Sequence, residues 1–320
     1  GWVSTRASGQ FSTAYGNIED IVYALDLVLP SGKKVTLGKA PRAAAGPDLR
    51  HLALGAEGTH GIVTEVTLSL RRQAPCRRYS AWYCADMAIG FRAQREIIQQ
   101  DWYPPVMRQY DASEVARLFP EYVRGKSCLI LLVHEGPQSR VEAEIQAIEK
   151  IVFDLGLETA DVSVVQDWMK HRNNVPEWRD LLEQGLIADT IEVSGTWGQI
   201  DAIYAAVIEA LKTVPNCVNA SAHSSHVYRS GINLYFTFAC MPENPNEMGN
   251  CYLQSWDRAL NATAKVGGGI AHHHGAGRLR RNYLHHDLGE TGVALLRTLK
   301  LAVDPQGILN PGNLLPLRDE

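Results

Sequence analysis

The chain has 320 residues, with 31 Lys+Arg against 35 Asp+Glu for a formal net charge of −4, and 45% of its residues are hydrophobic. That length suits two domains or one large one. No basic excess is present to neutralise phosphates, which excludes nucleic-acid binding by bulk electrostatics. The longest apolar runs, such as residues 128–133, fall far short of the roughly 20 residues of a membrane-spanning helix.

Residues 21–29 and 35–37 read as strands around the turn signal Pro30-Ser31-Gly32-Lys33. Residues 61–70 alternate, with Val66, Leu68 and Leu70 on one face, which predicts a half-buried strand. After residue 75 strands and helices alternate: strand 79–84, helix 87–100, strand 128–134 and helix 139–155, which stops at Gly156. Strand 190–194, helix 199–212 and a hairpin of 218–228 with 232–240 follow, then helix 246–265 and a short strand at 269–272. The last 45 residues read as helix with one apolar stripe, Leu295, Leu296, Leu299, Ala302 and Val303, ended by Asp304-Pro305. The pattern predicts an α+β architecture, an antiparallel sheet covered by helices.

Six cysteines (Cys76, Cys84, Cys128, Cys217, Cys240, Cys251) form no CxxC pair and several lie in apolar runs. They read as reduced thiols of a cytoplasmic protein. The opening GWVSTRASG is neither a signal nor a transit peptide, so a bacterial cytoplasm is the expected location. It reads as the middle of a longer sequence.

Three sets of residues could carry chemistry. Thr5, Arg6, Ala7 and Ser8 before Gly9, together with Glu57-Gly58-Thr59-His60-Gly61, are small-residue segments. Their backbone donors suit a pyrophosphate or a flat heteroaromatic ring, or they are simply tight surface turns. His272, His273 and His274 fit a metal poorly, since neighbours on a strand point to opposite faces, and no metal is expected there. They suit acid–base or hydrogen-bonding work, or a solvated loop. Arg108, Arg179 and the mid-strand Tyr235 stand in otherwise apolar surroundings. Either arginine pairs with a carboxylate such as Asp111 or Asp180, or it binds an anionic substrate group in bidentate fashion.

The segments GWVSTRASG, YGNIEDIV, GPDLRHLALGAEGTHGIVTEVTL, WRDL, GINLYF and HHHGAGRLR resemble the alkyldihydroxyacetonephosphate synthase family of vanillyl-alcohol-oxidase-type flavoproteins. The resemblance runs to about residue 315, with the triple histidine its discriminating mark. It implies the C-terminal part of a PCMH-type FAD-binding domain at 1–71, a cap or substrate domain at 72–275 and a helical segment at 276–320 that packs back on the FAD domain. It implies non-covalent FAD, contacted by Thr5, Arg6, Ala7 and Ser8 and by Glu57, Gly58, Thr59, Gly61 and Ile62. Arg179 falls on the substrate-phosphate arginine, Arg108 on an arginine needed for activity and Tyr235 on the proton-transferring tyrosine. His272, His273 and His274 fall on histidines essential to activity.

The reaction implied exchanges the acyl group of an acyl-dihydroxyacetone phosphate for a fatty alcohol through a flavin N5 adduct. A peripheral membrane contact for the lipid substrate and a homodimer go with it. The alternatives are an FAD-linked 2-hydroxy-acid dehydrogenase of the same superfamily and a flavin-free binding domain. The family's glycine-rich pyrophosphate loop is expected upstream of Gly1, so the 320 residues alone are expected to hold FAD poorly.

Overall fold

Three single-turn helices, α1 (Trp2–Thr5), α2 (Ser12–Tyr15) and α3 (Ile18–Ile21), open the chain and lead into β1 (Val22–Val28). The turn after β1 closes where the Gly32 amide donates to the Leu29 carbonyl at 2.9 Å, with Gly32 at φ 78. β2 (Lys34–Leu37) and β3 (Ile62–Leu68) then flank β1 in a three-stranded antiparallel sheet.

In β3 the expected alternation fails. Asp26 pairs with Glu65 but Leu27 pairs with Val63, so Thr64 is an extra residue. That bulge turns both Val63 and Val66 towards the core of Leu25, Leu27 and Leu54. Leu68 and Leu70, expected on the buried face, are instead 43% and 91% exposed.

The structure, a computed structural model, describes residues 1–317. Its chain divides into unit 1, Gly1–Arg72 with Ile270–Glu320, and unit 2, Gln73–Gly269. The triple histidine, placed in the cap by the sequence boundary at residue 275, therefore lies in unit 1.

Unit 2 begins with β4 (Cys76–Cys84), α4 (Met87–Gln99), β5 (Val106–Tyr110), α5 (Ala112–Leu118) and β6 (Cys128–Gly136). It continues with α6 (Gln138–Asp154), β7 (Glu158–Thr159), α7 (Ser163–His171), α8 (Trp178–Glu183) and β8 (Ile187–Thr196). α9 (Ile200–Lys212), β9 (Cys217–Ser224), β10 (Gly231–Cys240) and α10 (Met248–Lys265) complete it. The strands form one sheet in the order β7-β4-β6-β5-β9-β10-β8, every pairing antiparallel.

Period two sorts the faces of this sheet. Leu234, Phe236 and Phe238 of β10 are fully buried, Phe236 against Tyr204 of α9 and Phe238 against Tyr252 of α10. Asn233, Tyr235 and Thr237 point to the opposite face, in register with His223 and Ser221 of β9 and with Glu192 and Thr190 of β8. One face is thus a core under helices and the other carries polar groups.

Two C-terminal expectations are corrected. The strand at 269–272 reduces to one bridge between Gly269 and Ser194, and the histidines lie in a bend. α11 (Leu284–Val303) breaks at Gly289, whose φ 66 and ψ 168 are non-helical. Its stripe is not buried among the described residues: Leu295 is 60% exposed. The six cysteines are free thiols. No helix among the described residues is long and apolar enough to cross a membrane.

Candidate active site

The polar face of the unit 2 sheet is built by three adjacent strands. β5 supplies Arg108 and Tyr110, β9 His223 and β10 Tyr235, with Tyr110 opposite His223 and His223 opposite Tyr235. The rings stack in a row. Tyr110 and His223 have centroids 5.2 Å apart and planes at 29°, and His223 and Tyr235 lie 4.8 Å apart at 11°. Arg108 ends the row, its Nε donating to the Tyr110 hydroxyl at 2.7 Å.

Arg108 is 8% exposed, and no carboxylate pairs with it among the described residues. Asp111, the sequence-level candidate, is occupied elsewhere. It caps α5 through the Glu114 amide at 2.8 Å and accepts from the Ala222 amide at 2.7 Å and the Tyr204 hydroxyl at 3.2 Å. A buried guanidinium without a counter-charge is costly, and the Tyr110 hydroxyl with the rings of Tyr110 and Trp168 is what contacts it here.

Beside His223 lies Glu114 of α5, wholly buried. Its carboxylate accepts from the Ser221 hydroxyl at 2.9 Å and from Arg117 at 3.0 Å. Burial raises the cost of ionising Glu114, but the His223 ring and the Arg117 guanidinium outweigh it and hold the carboxyl below its usual range. Burial also pushes the His223 imidazole down, against the pull of Glu114. Arg117 and the Ser221 hydroxyl also contact the carboxylate. His223 Nδ1 stands 3.5 Å from Glu114 without hydrogen-bond geometry.

Arg108, Tyr110 and His223 line a cleft of about 500 Å³ together with Trp168, Arg172 and Tyr122. That volume lies within the range of small-molecule sites, about 300–1,000 Å³. Tyr235 stacks on His223 but is not itself part of this lining. Arg179 is placed apart from the cleft, exposed on α8 and with no ion pair to Asp180.

In unit 1 the two small-residue segments adjoin. The Gly55 and Glu57 amides donate to the Val3 and Ser4 carbonyls at 3.0 and 2.8 Å. Residues 2–5 form one helical turn, ended by Arg6 at φ 55. The Arg6 guanidinium pairs with Glu19 at 3.0 Å, the Ser8 hydroxyl donates to Asn17 at 2.7 Å and the Thr5 hydroxyl donates to the Gly1 carbonyl. The Ala7 amide closes back on Trp2.

The Glu57 carboxylate accepts from the Ala276 amide at 2.7 Å, the Gly277 amide at 3.0 Å and Asn313 Nδ2 at 2.7 Å. It staples the loop after the histidines to the C-terminal tail, and its side chain is not available to a ligand. Thr59 is buried, its hydroxyl donating to the Ala56 carbonyl, and Gly61 packs on Leu27, whose Cγ lies 2.6 Å from where a Cβ would stand. Ile62 is 58% exposed. Space stays open beside Gly9 and Gly58, with nothing within 4 Å of a Cβ at Gly9 and only Asn310 at 3.9 Å at Gly58.

Of the histidines, His273 is buried, His272 half-buried and His274 exposed. Nδ1 of His272 lies 2.6 Å from Nδ1 of His273, so one of the pair carries the proton and the other accepts it.

Tyr110, His223, Trp168 and Arg172 were missed in the sequence. Ser221 and His223, like Asn233, Tyr235 and Thr237, put polar groups at every second strand position; that period could have found His223. Nothing in the sequence brings α7 to β5.

Residues 74–314 match the family described as FAD linked oxidases, C-terminal domain. The FAD-linked oxidoreductase YgcU of Escherichia coli O157:H7 is 34% identical over 331 residues, covering 99% of this chain and 68% of its own length. The alkyldihydroxyacetonephosphate synthase of Caenorhabditis elegans is 27% identical over 349 residues, covering 99% of this chain and 58% of its own. A solved alkyldihydroxyacetonephosphate synthase superposes with a TM-score of 0.72 at 23% identity, over 97% of this chain and 56% of that one. The chain thus spans just over half the length of the synthases it matches. It has the fold of the C-terminal part of a PCMH-type FAD oxidase, FAD is its cofactor, and the protein belongs to the FAD-linked oxidase family.

Proposed function

We propose that the protein is part of an FAD-dependent enzyme of the alkyldihydroxyacetonephosphate synthase type, exchanging the acyl group of an acyl-dihydroxyacetone phosphate for a fatty alcohol. One observation carries this reading. A buried Arg108 with no carboxylate partner opens into the cleft at one end of a Tyr110–His223–Tyr235 stack. An anionic substrate that must lose a carbon-bound proton needs both a cation and an oxygen base.

The residues of unit 1 fit FAD through backbone rather than side chains, the open space beside Gly9 and Gly58 being where a flat or pyrophosphate group could approach. When bound, FAD would supply an electrophilic ring. Arg108 holds the anionic head of the substrate in the cleft, and Arg179, exposed on α8 outside that lining, is the second arginine the resemblance implies for the phosphate. Tyr235 takes the proton alpha to the ketone. The stacked His223 fixes the Tyr235 ring. The imidazoles of His272 and His273, already sharing one proton, act as acid–base groups. In the exchange one C–O bond to the fatty acid breaks, one to the alcohol forms, and no net electrons move.

A second reading, an FAD-linked 2-hydroxy-acid dehydrogenase, is favoured by the name oxidoreductase on the relative at 34% identity. The complete protein decides between them. Ether product from acyl-dihydroxyacetone phosphate and a fatty alcohol, without reduction of an acceptor dye, supports the synthase reading. Dye reduction by a 2-hydroxy acid supports the second. A protein without flavin absorbance that does neither is a binding domain.

A further inference from the structure

At the end of the β9–β10 hairpin away from its turn, two cysteines face each other. Cys217 opens β9 and Cys240 closes β10, and the two are direct partners in the antiparallel register. Alternation alone would separate them. Cys217 shares its parity with Ser221 and His223 on the polar face, and Cys240 shares that of Phe236 and Phe238 on the helix-covered face. A bulge removes the conflict. Ala239 pairs with Asn219 and Cys240 with Cys217, so Val218 is an extra residue and Cys217 turns to the face of Cys240. Opposed Cα atoms in such strands stand about 4.5–5.5 Å apart, inside the span of about 4.4–6.8 Å that a disulfide bridges. α10 covers the pair. The Cys240 thiol lies 3.8 Å from the Ser255 hydroxyl, and the Cys251 thiol donates to the Pro215 carbonyl at 3.5 Å.

Access and acidity differ within the pair. Cys240 is wholly buried and Cys217 half-buried. The Cys240 thiol beside it lowers Cys217 to about 7, against burial, while the same contact together with burial pushes Cys240 up. The first proton therefore leaves the thiol that a solute can reach. A second facing pair gives the contrast. Cys84 and Cys128 are register partners in β4 and β6, yet both are buried, and Cys84 is pushed up by its neighbour and by burial.

We propose that Cys217 and Cys240 form a thiol modification site, at which hydrogen peroxide converts the pair to a reversible disulfide. The Cys217 sulfur attacks one peroxide oxygen. Its S–O bond forms as the O–O bond breaks, and one water leaves. The Cys240 sulfur then attacks the Cys217 sulfur, the S–S bond forming as the S–O bond breaks, and a second water leaves. The two sulfurs lose two electrons, the peroxide gains them, and the thiol protons end in the two waters. The bond ties the open end of the hairpin whose strands carry His223 and Tyr235.

Peptide mapping of the complete protein tests the site, after hydrogen peroxide at neutral pH and then iodoacetamide under denaturing conditions without reductant. Trypsin with a glutamate-specific protease separates Cys240 from Cys251 at Glu243 and Glu247. A peptide of residues 213–229 linked to one of residues 230–243 is expected. Alkylation should be lost at both cysteines and restored by dithiothreitol. Cys240→Ser removes the second sulfur, and Cys217 should then accumulate as a sulfenic acid that dimedone labels. Cys217→Ser should leave Cys240 fully alkylated. A Cys217 that stays alkylated after peroxide overturns the site. So does an equal yield of a Cys84–Cys128 link, which marks strand pairing alone, or a link from Cys217 to Cys251. The map of the unsubstituted protein decides even where a serine variant fails to fold.

Discussion

The His223 imidazole lies almost parallel to the Tyr235 ring, 4.8 Å away at 11°, on the strand paired with it. A ring fixed from one side presents its hydroxyl in one place, which a proton acceptor requires. Tyr235→Phe removes one oxygen and keeps the stack. Its melting temperature should hold within about 2 °C, while kcat in the complete enzyme falls by about 10²–10⁴. Alpha-proton exchange with solvent is the direct check, and normal exchange in the Phe variant would place the base elsewhere.

Arg108 sets function against stability. Arg108→Met replaces a buried, uncompensated charge by a side chain of similar length, so the melting temperature of the 320-residue protein should stay level or rise. In the complete enzyme KM should rise by roughly 10- to 150-fold. A clear drop in melting temperature would reveal a structural partner for the guanidinium. Exposed Arg179 gives a contrasting case: Arg179→Ala should leave stability within about 0.5 kcal/mol, so any rise in KM for a phosphorylated ketone reports substrate contact.

Glu57 holds two backbone amides and one side-chain amide at once. Glu57→Ala leaves those donors without their acceptor, at a cost on the order of 2–4 kcal/mol. Urea denaturation should show it as an earlier midpoint. Limited proteolysis should cut first after Arg278, in the loop the carboxylate held; unchanged cleavage would refute the staple.

His60 should make unit 1 acid-sensitive. Its Nδ1 lies 3.0 Å from the Leu52 carbonyl, which only accepts, so Nδ1 carries the hydrogen and the buried Nε2 is bare and unpartnered. Burial, with help from the Lys300 charge, pushes its pKa below the ordinary 6.5. The unfolded chain therefore takes up the proton first as pH falls. Stability is complete above about pH 6.5 and is lost as pH drops through the window below it. His60→Gln keeps a donor for Leu52 and removes the titration. Its melting temperature should fall less than that of the wild type between about pH 7.5 and 5.5, and parallel curves would clear His60 of the role.

Much of this was legible because period and punctuation are local. The helix of residues 139–155 and the hairpin of 218–228 with 232–240 appear where apolar spacing and turn residues place them, within a few residues. The Thr64 bulge was not legible, because an extra residue is defined by the partner strand and leaves the sequence of β3 a clean alternation. The role of Glu57 was hidden for the same reason. Its neighbours suggest a ligand loop, while its three hydrogen-bond donors come from residues 276, 277 and 313. The sequence brought Arg108 and Tyr235 to notice as polar residues in apolar runs. What it withheld was the strand between them, with His223, and the helix that brings Trp168 and Arg172.

The separation of 219 positions between Glu57 and Ala276 also orders events during synthesis. Unit 2 is one uninterrupted stretch and can condense while the last fifty residues are still to be made. Unit 1 is two stretches, so through that interval the Glu57 carboxylate is a hydrated anion on a half-built surface. The amides of Ala276 and Gly277 reach that carboxylate only after about two hundred further codons have been translated. At about 5–20 residues per second that is on the order of 10–40 seconds, for which Glu57 waits on its partners.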